Sequence, residues 1–186
     1  MLDLEIKPVT PELHDDVMRY FDLVAYADNP AWSKCYCMEK LVEGFEDRTK
    51  EQNRALRADL VRSGRARGLV AYRLHRVVGW CHAAPKRELL NLEGGGKAED
   101  VGAIVCFVVA PDSRRQGIAT ALLVAACDYL RELGMREAEA YPWTESPDDA
   151  SRWVQIQYVG PLSMYLKNGF ERVRQAAQTT IVRRRL

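Results

Sequence analysis

The sequence predicts an α/β (α+β) fold, a central mixed and mostly antiparallel sheet of six or seven strands with about four helices, on three observations. Leu2, Leu4 and Ile6 alternate with Asp3, Glu5 and Lys7 and lead into a helical pattern. The run VGAIVCFVVA, residues 101–110, is apolar on both faces, as a central strand is. Ile118, Leu122, Ala125, Ala126, Tyr129 and Leu133 then keep the spacing of an amphipathic helix that Gly134 ends.

Each element follows in order. Thr10-Pro11-Glu12 supplies an N-cap and a first-turn proline, so a helix is expected over residues 11–28, where Asn29-Pro30 breaks it. A second, polar helix over residues 47–62 stops at Ser63-Gly64. Residues 67–85 hold two β-rich runs meeting near His75-Arg76, a hairpin, and the glycine-rich 91–100 form a loop. After the central strand and its helix come a strand in residues 136–143, a polar loop over 144–153, a short helix opening at Pro161, and one or two strands to the C-terminus. No repeat, low-complexity segment or linker divides residues 1–186, which are expected to form one domain.

Composition narrows the function. Lys and Arg number 27 against 26 Asp and Glu, a net charge of +1, so neither nucleic acid nor an anionic membrane is expected as a bulk partner. The N-terminus carries acidic residues where a signal peptide needs basic ones, and the longest apolar run is too short for a bilayer; a soluble cytoplasmic protein is expected. Five cysteines at irregular spacing suggest reduced thiols rather than a disulfide framework.

The chemistry concentrates in FVVAPDSRRQGIATALL. A buried strand passes through a proline turn into a helix whose first turn carries Arg114, Arg115, Gln116, Gly117, Ile118, Ala119 and Thr120. Free N–H groups at a helix start attract anions, and Gly117 and Ala119 are small enough for a phosphate to reach the backbone. Downstream, PLSMYLKNGFERV is again a short helix running into a strand.

Together these motifs are identified with the GNAT superfamily of acyl-CoA-dependent N-acetyltransferases. Arg114-x-x-Gly117-x-Ala119 after Val109-Ala110-Pro111 resembles its Arg/Gln-x-x-Gly-x-Gly/Ala loop, and Tyr165-Leu-Lys-Asn-Gly169-Phe170 its Tyr-x-x-x-Gly-Phe. The resemblance implies that the central strands splay, that acetyl-CoA is the cosubstrate, and that no metal is needed. It assigns the pantetheine contacts to the backbone of Phe107, Val108 and Val109, the diphosphate to the seven residues from Arg114 to Thr120, and the general acid to Tyr165. A small-molecule or peptide amine would be acetylated by direct attack, and a homodimer is compatible with the family.

Two departures accompany the match. Tyr158 and Pro161 stand where the family often has Asn and Ala, and Ala103 where some members carry a catalytic Glu. The base is therefore open between Glu99, Asp100, His82 and an ordered water. The missing carboxylate also leaves open an acyl-CoA-binding module without catalysis.

Asn29-Pro-Ala-Trp-Ser-Lys-Cys-Tyr-Cys falls between the first two helices. Trp32, Cys35 and Tyr36 are expected to help wall the acceptor pocket, against the alternative of a packed loop with inert thiols. Trp143 and Trp153, with Tyr141, are further aromatic candidates. A zinc site from Cys35, Cys37, Cys81 and His82 is the weakest reading, since Cys-x-Cys is not the usual spacing and Cys81 and His82 would face opposite sides of a strand.

Overall fold

The computed structural model describes residues 3–92, 98–143, 158–176 and 179–186. A 3₁₀ turn at Pro11–Leu13 follows β1 (Glu5–Pro8) and leads into α1 (His14–Leu23). The helix stops five residues before Asp28, because Val24 and Ala25 both donate to the Tyr20 carbonyl and the chain turns inward to bury Ala25 and Tyr26. Helix α2 (Lys50–Arg62) starts later than its polar pattern suggests. Thr49 and Gln52 cap each other reciprocally there, and Phe45–Asp47 form a separate 3₁₀ turn.

Strands β2 (Leu69–Arg73) and β3 (Arg76–Pro85) make the hairpin. Its turn has left-handed φ at Leu74 (48°) and His75 (61°), the pattern of a primed turn formed without its usual Asn-Gly. Next come β4 (Val101–Val109), α3 (Ile118–Glu132), β5 (Glu137–Ala140), α4 (Leu162–Lys167), β6 (Glu171–Gln175) and β7 (Thr180–Arg185). The sheet order is β1-β2-β3-β4-β5-β7-β6, and only β4 and β5 run parallel. This matches the expected mixed, mostly antiparallel sheet. The stretches 93–97 and 144–153, read above as loops, lie at least in part outside the described residues, as does Trp153.

Alternation along β3 separates the two faces. Gly79 turns to α3, where an added Cβ would stand 3.0 Å from both Ile118 and Leu122, while Trp80 turns to α1 and α2 and meets Phe21 edge-on. At Gly102 a Cβ would come within 2.6 Å of Leu130, so α3 lies close on β4 because the strand offers glycine there.

The parallel pairing of β4 with β5 covers only Val101 to Ile104 against Glu137 to Ala140. Beyond it Pro142 has no N–H to offer β4, its carbonyl accepts from Thr180, and Trp143 bridges to Thr179, so this edge follows β7 while β4 stays with β3. The strands diverge. Just before the fork, buried Glu139 accepts hydrogen bonds from Lys86 (2.7 Å), Arg183 (2.7 Å) and the Tyr141 hydroxyl.

Burial alone would raise the carboxyl pKa of Glu139, but these donors hold it below its ordinary 4.5. A group depressed in the folded state contributes stability that is complete above the unfolded value and is lost as pH falls through the folded one. Acid unfolding of the wild type should therefore gain from this group only below pH 4.5. Glu139→Ala, which strands buried Lys86, should cost about 3–5 kcal/mol in urea unfolding at neutral pH.

Candidate functional site

The fork leaves backbone groups of β4 without strand partners. The Ala110 N–H donates to Val78, so in this register Val108 and Cys106 turn their peptide groups to β3, and Phe107 and Val109 turn theirs toward the gap. Val108 thus departs from the sequence expectation, its carbonyl also accepting from the Tyr20 hydroxyl at 2.7 Å. Phe107 and Val109 remain placed to offer peptide groups, although the Val109 carbonyl already accepts from Arg114 at 3.1 Å.

At the end of β4 the chain enters α3 through Arg115 and Gly117, both left-handed (φ 58° and 81°). No described backbone carbonyl accepts from the N–H groups of residues 114–120. They lie at and just before the positive end of a fifteen-residue helix, where negative charge is favoured. Its side chains divide the work differently from the sequence reading. Arg114 is committed to Asp28 in a bidentate pair and to Val109, and Gln116 bonds Arg73 and the Asp112 carbonyl. Ile118 is buried against β3, leaving only its N–H to the cradle. Arg115 is exposed and has no ion-pair partner among the described residues. Ala119 is half-buried and Thr120 exposed on the first turn of α3.

Tyr165 of α4 lies on the α3 side of the sheet, its ring against Phe107 and Phe170. Its hydroxyl donates to the Val159 carbonyl at 2.5 Å. Burial, and then the nearby thiols, push its pKa well above 10, so the phenol keeps its proton.

On the opposite face, at the mouth of the fork, lies a cavity of about 260 Å³. Tyr26, Trp32, Tyr141, Trp143 and Tyr158 form aromatic walls, Val105 and Cys106 come from β4, and Cys35, Cys37, Glu39, Lys40, His82, Leu92, Val159 and Thr179 line the remainder. Trp32 and Cys35 are therefore at the cavity. Tyr36 is not: it is core, 1% exposed, with its hydroxyl on Asp22 at 2.7 Å and its ring against Phe21. The expectation fails because Tyr36 faces away from the cysteines on either side of it and is claimed by the core. Tyr36 and Cys37 both take left-handed φ, 45° and 56°, and Cys37 joins Cys35 at the cavity.

That turn is held by Arg57. Its guanidinium is fully buried, donates to the carbonyls of Tyr36 (3.0 Å) and Cys37 (2.8 Å), and lies over the Trp80 ring at 5.0 Å. No carboxylate among the described residues is within ion-pair distance of it. Cys37 Sγ in turn stands 3.4 Å from His82 Nδ1. Of the candidate bases, only His82 reaches the cavity; Glu99 and Asp100 are exposed at the start of β4, where Glu99 pairs loosely with Arg87. Among the described residues no three His, Cys, Asp or Glu side chains cluster as a metal site would require. No described helix is long and apolar enough to cross a membrane.

Sequence reasoning missed Tyr26 and Tyr158 as wall residues. Tyr158 meets Tyr26 edge-on and Trp32 at a tilt (ring centroids 5.7 Å from each) and accepts from Asn29. The signal available was its place at a family position usually occupied by asparagine.

A forked parallel pair, an N–H cradle after the inner strand and a cavity at the fork define the GNAT fold class of acyl-transferring proteins. The sequence model of the acetyltransferase (GNAT) family matches residues 29–157, and the chain belongs to that family. Among solved structures, PaiA N-acetyltransferase from Thermoplasma acidophilum, in complex with coenzyme A, aligns over 100% of both chains at 15% identity with a TM-score of 0.56. An acetyltransferase from Thermus thermophilus is 20% identical over 100% of this chain and 98% of its own (TM-score 0.55). A GCN5-related N-acetyltransferase from Kribbella flavida is 16% identical over 99% and 98% (TM-score 0.56). No curated protein sequence matches significantly.

Arg57→Met should leave the Tyr36 and Cys37 carbonyls buried without donors, a loss of about 1–3 kcal/mol for each. Thermal melting would register it as a lowered Tm.

Proposed function

We propose that this family member is an N-acetyltransferase that moves the acetyl group of acetyl-CoA to a primary amine by direct attack in a ternary complex. The observation that carries the reading is the fork itself, which joins the N–H cradle on one side to an aromatic cavity on the other. Pantetheine amides resemble a missing strand, and the peptide groups of Phe107 and Val109 are those the gap leaves available. The diphosphate would sit on the N–H groups of residues 114–120, with Arg115 as a cation unpaired among the described residues. Arg114 serves the site as a strut between Asp28 and β4.

With CoA so oriented, the thioester lies between the two faces of the sheet. The amine approaches from the cavity, and Tyr165 lies on the other side, one hydrogen bond behind the Val159 that lines the cavity. Attack forms the C–N bond and breaks the C–S bond; the phenol gives its proton to the departing thiolate, for which a protonated hydroxyl at neutral pH is required. Aromatic walls and a volume near 260 Å³ suit a small amine or the terminal residue of a peptide.

Calorimetry with acetyl-CoA tests the reading at its root: saturable binding in the micromolar range is expected, and no heat at high micromolar concentration would sink it. Arg115→Glu should weaken that binding on the order of tenfold, the size of one lost charge-assisted contact of about 1.5 kcal/mol. Tyr165→Phe should slow amine-dependent release of CoA while leaving acetyl-CoA affinity within about twofold. Equal rates would remove Tyr165 from catalysis, and CoA binding without release for any amine would point to a non-catalytic module.

A further inference from the structure

His82 is 1% exposed, and its two ring nitrogens are in different situations. Nδ1 faces Cys37 Sγ at 3.4 Å, while Nε2 is buried with no partner among the described residues, on a residue that lines the cavity. An imidazole hydrogen-bonded at one nitrogen and left without a partner at the other, on a residue that lines the cavity, is the arrangement of a general base with its orienting group. In such pairs the orienting group is usually a carboxylate. Here it is a cysteine.

The surroundings of that cysteine are rich in donors and poor in acceptors. Arg57 brings a full positive charge with no carboxylate among the described residues to balance it, and both its Nη1 and the Nε1–H of Trp80 beneath it are buried without a described acceptor. A buried cation of this kind needs an anion nearby. The ionisable groups facing Cys37 are Arg57 from α2, His82 and Cys81 from β3, Cys106 from β4, and Cys35 and Tyr26 from its own connection. Burial disfavours a thiolate at Cys37, while hydrogen bonds with Cys106 and His82 and the positive charge of Arg57 favour it. Cys35 is pushed up to about 12, and Tyr26 and Cys106 well above their ordinary values, chiefly by burial except at Cys106, where the hydrogen bond to Cys37 leads. Of these groups Cys37 is the one with His82 Nδ1 within hydrogen-bond reach, and so the one placed to carry the charge.

We propose that Cys37 is a thiolate that accepts a hydrogen bond from His82 Nδ1–H, so that the lone pair of His82 Nε2 removes the proton from the attacking amine. The charge on Arg57 balances the thiolate. As the amine nitrogen bonds to the acetyl carbon, its proton passes to Nε2 and the imidazolium so formed is stabilised by Cys37. The electron pair of the broken C–S bond leaves on CoA sulfur, which takes the Tyr165 proton; the His82 proton then returns to Tyr165 through solvent, restoring both groups. His82 is the catalytic residue in this scheme and Cys37 a positioning residue. The inference rests on the N-acetyltransferase reading for its reaction, but the state of Cys37 can be measured without it.

The first measurement uses the unliganded wild-type protein. Brief treatment with iodoacetamide at neutral pH, followed by peptide mapping, should find Cys37 alkylated before the other four cysteines, and its far-ultraviolet thiolate band should vanish in Cys37→Ala. Cys37 reacting no faster than Cys35, or an unchanged band, overturns the proposal whatever the protein acetylates. The second follows CoA release with an accepted amine. His82→Gln should lower kcat by about 10²-fold or more with acetyl-CoA affinity intact, and an unchanged kcat overturns the role of His82. Cys37→Asp keeps the negative charge and tolerates a left-handed φ, so it should recover at least tenfold of the kcat lost in Cys37→Ala. Equal rates for Asp and Ala overturn the role of Cys37. Failure of the N-acetyltransferase reading looks different: wild-type protein that neither binds acetyl-CoA nor releases CoA, with the Cys37 thiolate still present.

Discussion

The arrangement depends on how briefly β4 and β5 stay together. Four residues on each side are paired, and then the outer strand is drawn to β7 by the Pro142 carbonyl and the Trp143 bridge while β4 continues along β3. A parallel pair carried further would close the gap with its own hydrogen bonds. Ending it at Ile104 and Ala140 leaves peptide groups facing an opening, and an opening through a sheet is the one place where ligands on its two faces can touch. The Glu139 cluster matters for the same reason: it fixes where pairing stops by locking β5 to Lys86 and Arg183 one residue before the fork.

Much of this was legible in the chain. The apolar run of β4, the helical spacing of α3 and the Gly117-x-Ala119 turn each carry a local rule whose meaning does not depend on distant residues. The same holds for Thr49-x-x-Gln52, a capping box that marks the true start of α2 better than the acidic residues before it. The hairpin was visible from its flanking β-rich runs although Leu74-His75 is not a usual primed-turn pair.

The cavity was less legible, since its walls come from residues set by tertiary contacts. Helix α1 ends where Ala25 and Tyr26 gain burial, a competition that periodicity cannot weigh, and it is this early stop that brings Tyr26 to the wall. Cys-Tyr-Cys offers three candidates for a wall without saying which of them the core claims. Tyr36 is taken by Phe21 and Asp22, and the left-handed turn that places it is held by the Arg57 side chain, twenty residues away on α2. Arg114 misled for a related reason: a motif names the residue but not its partner, and Asp28 had already claimed the guanidinium.

That claim has a mechanical meaning. Asp28 ends the turn that carries Tyr26 to the cavity wall, and Arg114 stands at the entrance to α3, so the ion pair with its added bond to Val109 is a rivet through three segments. One side chain thus ties the α3 entrance to the segment that carries a wall residue, so the two halves of the site share a contact as well as a sheet.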